Sequence, residues 1–226
     1  METEGISESD KLEMMKYTGI NQENVIEKYN QVAEKYDHII EDVLGYPDAS
    51  NIHELLVKYS VPKEAAILDF GCGTGLFGKE LISKGYTSIF GIDASPEMLE
   101  KAEAKGYKEL KEVFLCSNSF HEEYTGKFDV AVSVGLLGHH LPTEVLDEKI
   151  SCLRPKESED EKRFIIFTTR EACMEEYGYN KKLKQLEDEG KVKFVENFSW
   201  TKYENLETES IGMFWPLQKV CYVYSV

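Results

Sequence analysis

Apolar residues fall at helical spacing from Val25 onward, at Val25/Ile26, Tyr29, Val32/Ala33, Tyr36, Ile39/Ile40 and Val43/Leu44. The rhythm holds for about five turns and predicts one or two amphipathic helices. Gly45, Tyr46 and Pro47 break it, and NIHELLVKYSV (51–61) predicts a further helix. Beyond Pro62 the pattern changes. The apolar runs AAILDF, SIFGID, EVFLCS, FDVAVSV and RFIIFTT predict strands. Between them LFGKELISK, SPEMLEKAEAK and TEVLDEKISCL carry helical spacing, and Ser95-Pro96 supplies a side-chain cap followed by a proline at the first helical position. Such alternation predicts a parallel, doubly wound sheet. KVKFVENFSWTKYE and KVCYVYSV are joined by a loop with no helical pattern, so they pair antiparallel or lie in different sheets. The architecture expected is five or six parallel strands closed by one antiparallel strand, in a single domain over 21–226. Residues 21–62 form its helical cap, 63–226 its core, and residues 1–20 a disordered tail.

Charge narrows the range of partners. A net charge of −16 over 226 residues repels phosphate backbones, and no long Lys/Arg cluster interrupts it, so nucleic acid is not an expected partner. The five cysteines (Cys72, Cys116, Cys152, Cys173, Cys221) are odd in number and include no C-x-x-C pair, which argues against a disulfide framework and against a metal site. The acidic start METEGISESDKLEMM lacks a secretory pattern, and no apolar run reaches the roughly 18 residues of a membrane span. The expectation is a cytoplasmic protein, monomer or weak dimer, with no membrane partner.

Candidate chemistry lies in ILDFGCGTGLFGKEL (67–81). Gly71, Gly73 and Gly75 let a backbone turn sharply from strand to helix and approach a ligand closely. Read from Gly73, the run Gly73-Thr-Gly75-Leu-Phe-Gly78 has the spacing of a dinucleotide-binding turn. Asp69, at the end of the preceding strand, argues the other way: a carboxylate repels a pyrophosphate and favours the ammonium and sulfonium of S-adenosylmethionine. Asp93 ends the next strand, where a carboxylate accepts ribose hydroxyls of either cofactor.

ILDFGCGTGLFG and GIDASPEMLEKA resemble the first two motifs of the class I S-adenosylmethionine-dependent methyltransferases, and the likeness extends over about 25–226. YNQVAEKYDHIIEDVLGY is similar to the helix that caps the cofactor in many small-molecule members. YDHIIEDVLGY, SPEMLEKAEAKGY, FDVAVSVGLL and FTTR look most like the group of methyltransferase-like proteins named for the Williams–Beuren syndrome region. The resemblance implies a Rossmann-like methyltransferase fold: a doubly wound, seven-stranded, mostly parallel α/β sheet with one antiparallel strand and an N-terminal helical lid. It makes Asp69, Gly71, Cys72, Gly73, Gly75 and Leu76 the methionine loop, Asp93 the ribose ligand, and Ala94 with Met98 the flanks of the adenine. Ser117 or Asn118 stands where relatives often place an acid against the adenine amino group. Val134 and Leu136 lie under the sulfur, and Tyr29 and Tyr36 close the lid. RPKESEDEKRF replaces the glycine pair usual before the fifth strand, a departure remote from the cofactor.

Several side chains carry two readings. Tyr29 and Tyr36 sit on an apolar stripe and serve equally as core. His139 follows the fourth strand as a candidate catalytic base or a plain loop residue. Arg170 is a candidate donor fork for a substrate carboxylate or phosphate, or a surface ion-pair partner. Phe214 and Trp215 wall an acceptor pocket or plug the domain. No Asn/Asp-Pro-Pro-Tyr tetrapeptide follows FDVAVSV, so base amino groups are not expected acceptors. The function expected is methyl transfer to a small-molecule acceptor. A protein side chain is the second choice, a cofactor-binding regulatory protein without turnover an alternative, and a dehydrogenase a distant third that Asp69 disfavours.

Overall fold

The computed structural model describes residues 22–44, 47–117, 123–138, 140–158, 160–201 and 218–226. The expected tail, Asn118, His139, Phe214 and Trp215 lie outside them. Seven strands form one sheet: β1 (Ile67–Phe70), β2 (Ile89–Asp93), β3 (Glu109–Glu112), β4 (Val130–Val134), β5 (Phe164–Arg170), β6 (Lys193–Thr201) and β7 (Gln218–Ser225), in spatial order β3-β2-β1-β4-β5-β7-β6. Neighbours from β3 through β5 pair parallel, whereas β7 lies antiparallel to both β5 and β6. The single antiparallel strand is therefore the one slotted between β5 and β6.

Strand alternation explains the two layers of core. Leu68, Phe70, Ala131, Ile165 and Phe167 face one side and pack with Val145, Leu146, Leu183 and Leu186. Their sequence neighbours Ile67, Val130, Val132, Phe164 and Ile166 face the other and pack with Ile52, Leu56, Phe77 and Leu81. A sheet covered on both faces needs apolar residues at consecutive positions, which is why these strands read as unbroken apolar runs.

Among the described residues the α-helices are α1 (Gln22–Asp37), α2 (Asp48–Lys58), α3 (Leu76–Ser83), α4 (Pro96–Ala102), α5 (Val145–Ser151), α6 (Glu171–Glu176) and α7 (Tyr179–Asp188). Residues 21–62, expected as one helical cap, divide in the structure. Helix α2 is a core layer through Ile52, Leu55 and Leu56. Helix α1 instead rides on α4, where Glu34 pairs with Lys101 and Asp37 reaches Lys105 at 2.5 Å. The periodic run after α1 continues as a π-helical segment, His38–Leu44.

The third strand is displaced from its expected place. Of the apolar run EVFLCS only Glu112 is strand; the less apolar Glu109–Glu112 pairs with β2 instead, Phe90 opposite Glu109 and Asp93 opposite Glu112. Val113 and Leu115 turn into the core, and Cys116 adopts a φ of 59°. Helices α6 and α7 were not foreseen; α6 buries only Cys173 and Met174, whereas Tyr179, Leu183 and Leu186 of α7 do lie at helical spacing between charged neighbours. Among the described residues no helix is long and apolar enough to cross a membrane.

Candidate cofactor-binding site

The turn after β1 is stapled to the end of β2. The amides of Gly71 and Cys72 donate to Ile92 O at 2.8 and 3.0 Å, the Gly75 amide donates to Cys72 O at 2.9 Å, and the Gly73 amide donates to Asp93 Oδ2 at 2.8 Å. Gly75 caps α3 with a φ of 85°, a left-handed conformation that suits glycine. Gly71 is held against Leu136, whose Cδ1 is 2.6 Å from where a Cβ would stand. This contact sets the loop after β4 beside the glycine turn. Four of the turn's amides already have acceptors within the protein, so the ring of free N–H groups that cradles a pyrophosphate is not available from them.

Two carboxylates converge here. Asp93 Oδ1 accepts from the Ser95 amide at 2.9 Å while Oδ2 holds Gly73. Burial raises the Asp93 pKa, against the opposing pull of the Ser95, Gly73 and Ala94 amides. Each oxygen has a further lone pair, which fits a pair of ribose hydroxyls. Asp69 is buried beneath the turn. Its Oδ2 accepts from the Tyr107 hydroxyl at 2.7 Å, and its Oδ1 has no hydrogen-bond partner. Burial pushes its pKa up to about 7, against the Tyr107 hydrogen bond and the charge of Lys149, with Asp93 adding to the rise. An orphaned carboxylate oxygen in a buried turn fits an incoming ammonium.

Tyr107, which holds Asp69, and the buried Lys149 escaped the sequence reading. Tyr107 also accepts from the Gly78 amide at 3.0 Å, and its ring fills a slot over Gly75, Gly78 and Gly91. Gly78 and Gly91, unlike Gly71, Gly73 and Gly75, have no left-handed φ, so the reason for glycine there is room for that ring. Lys149 lies fully buried on α5 with its Nζ 4.1 Å from the centre of the Phe70 ring.

The other candidate residues take these places. Ala94 is half-buried beside Asp93; Met98 is buried on α4, its amide capped by Ser95 Oγ at 3.1 Å. Ser95 Oγ also donates to Asn30 Oδ1 at 2.5 Å, which ties α1 to the end of β2. Tyr29 and Tyr36 are half-buried on α1 and meet edge to face, centroids 6.1 Å apart. Cys72 is buried, and burial drives its thiol well above the ordinary value. Leu76 opens α3. Ser117 Oγ donates to Phe114 O at 2.5 Å. Val134 is half-buried at the end of β4, and Arg170 is half-buried at the end of β5.

A buried polar network adjoins this edge of the sheet. The Gly135 amide donates to Thr168 Oγ1 at 2.9 Å, and Thr168 donates to Asp48 Oδ2 at 2.7 Å. Lys219 pairs with the same carboxylate, and Trp200 Nε1 donates to Asp48 Oδ1 at 3.2 Å. Among the described residues no group of three or more His, Cys, Asp or Glu is placed to hold a metal.

Residues 67–156 match the family model described as a methyltransferase domain. Human methyltransferase-like protein 27 is 38% identical over 76 residues, which is 34% of this chain and 31% of that protein. Mouse EEF1A lysine methyltransferase 2 is 30% identical over 76 residues, again 34% of this chain and 31% of that protein. The matched stretch thus spans about a third of either relative. The structure of magnesium protoporphyrin IX methyltransferase from Synechocystis PCC 6803 with S-adenosylmethionine bound superposes over 99% of both chains with a TM-score of 0.54 and 13% identity, a likeness of fold. The strand order, the twin carboxylates at the glycine turn and the match over residues 67–156 agree, and this part of the chain is similar to the methyltransferase domain of S-adenosylmethionine-dependent enzymes.

Proposed function

We propose that this chain transfers a methyl group from S-adenosylmethionine to a small-molecule acceptor held above the carboxyl ends of β4 and β5. The observation that carries the reading is the pairing of Asp69 and Asp93 around one turn whose amides are already engaged. It presents negative potential, suited to a cation and a ribose and unsuited to a pyrophosphate. Bound there, the cofactor supplies an electrophilic methyl group on a sulfonium.

The chain's own residues bind, orient and exclude water. Asp69 pairs with the methionine ammonium and Asp93 accepts the ribose hydroxyls. Ala94 and Met98 flank the adenine, with Ser117 or Asn118 at its amino edge. Val134 and Leu136 bound the sulfur, and α1 with Tyr29 and Tyr36 covers the site, where exclusion of water favours loss of the sulfonium charge. His139, Arg170, Phe214 and Trp215 are the candidate groups on the acceptor side. The strong negative charge of the chain supports an acceptor that is not a nucleic acid. The name of the mouse relative favours a second reading, a protein side chain as acceptor.

Calorimetric titration with S-adenosylmethionine and S-adenosylhomocysteine, on wild type and Asp69→Ala, tests the cofactor. Micromolar binding lost in the variant is expected; preference for a nicotinamide dinucleotide would remove the reading. Incorporation of labelled methyl into small-molecule or protein fractions of an extract then separates the two acceptor classes. Binding without transfer in either fraction would point to a regulatory protein.

A further inference from the structure

Tyr107 stands two residues before β3, and its hydroxyl makes two hydrogen bonds at the glycine turn. Its ring lies in the slot that Gly75, Gly78 and Gly91 leave open. A phenylalanine would fill that slot as well, so packing accounts for the ring and not for the oxygen. The oxygen joins the Gly78 amide, at 3.0 Å, to Asp69 Oδ2, at 2.7 Å.

Chemistry fixes the direction of both bonds. Gly78 is the third residue of α3, so its amide is one of the first four of the helix, which have no acceptor within it. An amide N–H can only donate, so the tyrosine oxygen accepts there. The single proton of the hydroxyl is left for Asp69, whose Oδ2 accepts it. Burial raises the Tyr107 pKa well above the ordinary value, with the charge of Asp69 adding to the rise, so this proton stays on the phenol. A donor aimed at one oxygen favours the charged carboxylate. It also leaves the other oxygen, Oδ1, buried and without a hydrogen-bond partner. The terminal torsion of an aspartate is broad, so without this bond neither oxygen has a fixed place.

We propose that Tyr107 is a positioning residue: its hydroxyl, itself held by the Gly78 amide, clamps Asp69 Oδ2 so that Oδ1 stands ready for the methionine ammonium. The inference rests on the cofactor reading above and adds a residue that acts through Asp69. It divides the ligand in two. The ammonium end depends on Tyr107, whereas the ribose end depends on Asp93, which the Ser95 and Gly73 amides hold instead.

The experiment is calorimetry on the full chain, wild type and Tyr107→Phe, with two ligands. S-adenosylhomocysteine carries the amino-acid ammonium; methylthioadenosine keeps the nucleoside and the thioether and lacks the ammonium. The variant should bind S-adenosylhomocysteine about tenfold more weakly, as the loss of one hydrogen bond to a charged group implies, and methylthioadenosine within about twofold of wild type. Retained methylthioadenosine binding shows that the variant is folded at this site. An equal loss for both ligands makes Tyr107 a packing residue only and overturns the proposal, as does no loss for S-adenosylhomocysteine. On wild type alone, methylthioadenosine binding as tightly as S-adenosylhomocysteine also overturns it, because Asp69 would then hold no ammonium. That comparison needs no variant to fold. Failure of folded wild type to bind S-adenosylhomocysteine removes the cofactor reading, and this inference with it.

Discussion

Gly78→Ala is a substitution that helix propensity favours and this structure forbids. Alanine in the middle of α3 would gain about 1 kcal/mol over glycine. The added Cβ, however, would stand 2.2 Å from Tyr107 Cζ, 2.3 Å from Cε2 and 2.5 Å from the hydroxyl oxygen. Ordinary carbon contacts begin near about 3.5 Å, so the overlap exceeds about 1 Å. The ring cannot step aside, because Gly75 and Gly91 border the same slot, with Tyr107 carbons at 2.9 and 2.8 Å from where their Cβ atoms would lie. Tyr107 must leave, and its bond to Asp69 goes with it. Overpacking costs about 1–3 kcal/mol and a hydrogen bond to a charged group about 1.5–3 kcal/mol. After the helix gain is subtracted, the net loss is about 1.5–5 kcal/mol. Chemical denaturation reads it, and a double-mutant cycle identifies its cause: in a Tyr107→Ala background, Gly78→Ala should be neutral or stabilising by up to about 1 kcal/mol. Equal cost in both backgrounds, or a gain in stability in the wild type, would refute the steric account.

Three further outcomes follow from the same structure. Asp48→Ala should cost about 3–5 kcal/mol by leaving the Lys219 ammonium buried without its carboxylate, and the pair Asp48→Leu with Lys219→Met should recover most of that loss in the same denaturation assay. Ser95→Ala removes the cap on the Met98 amide and the bond to Asn30, and should lower stability by about 1 kcal/mol while raising hydrogen exchange in α1. Lys149→Met should stabilise the ligand-free protein. The folded pKa of Lys149, about 7, lies below its unfolded value, so its penalty is absent above about pH 10.5 and grows as pH falls toward 7. The gain is therefore about 2–4 kcal/mol at pH 7 and smaller at pH 10, and a gain independent of pH would contradict it.

Most of the sheet was legible because strands buried on both faces must be apolar at successive positions, and β1, β4 and β5 are. The glycine turn was legible because its chemistry is local, with Asp69, Gly71, Gly73 and Gly75 within seven residues of one another. The third strand was not, since an edge strand is chosen by what it pairs with: Glu109–Glu112 fits β2, and the more apolar Val113 and Leu115 are drawn inward. Tyr107 meets Asp69 across 38 residues and Lys219 meets Asp48 across 171, separations at which no spacing rule operates. Their traces were nonetheless present. Gly78 lies in a helix and Gly91 in a strand, where glycine brings no conformational advantage, and Lys149 interrupts an apolar helical stripe.

The slotting of β7 between β5 and β6 also has a consequence for how the chain is made. A ribosome delivers β6 before the strand that joins it to the rest of the sheet. Until β7 emerges, β6 has no neighbour to pair with, and Asp48, Thr168 and Trp200 await the ammonium of Lys219. Holding β6 out of the sheet during synthesis exposes Phe198 and Trp200, aromatic surface of the kind that chaperones cover. A nascent chain stopped at 217 would lack two strands of the sheet, although only one of them is missing from its sequence.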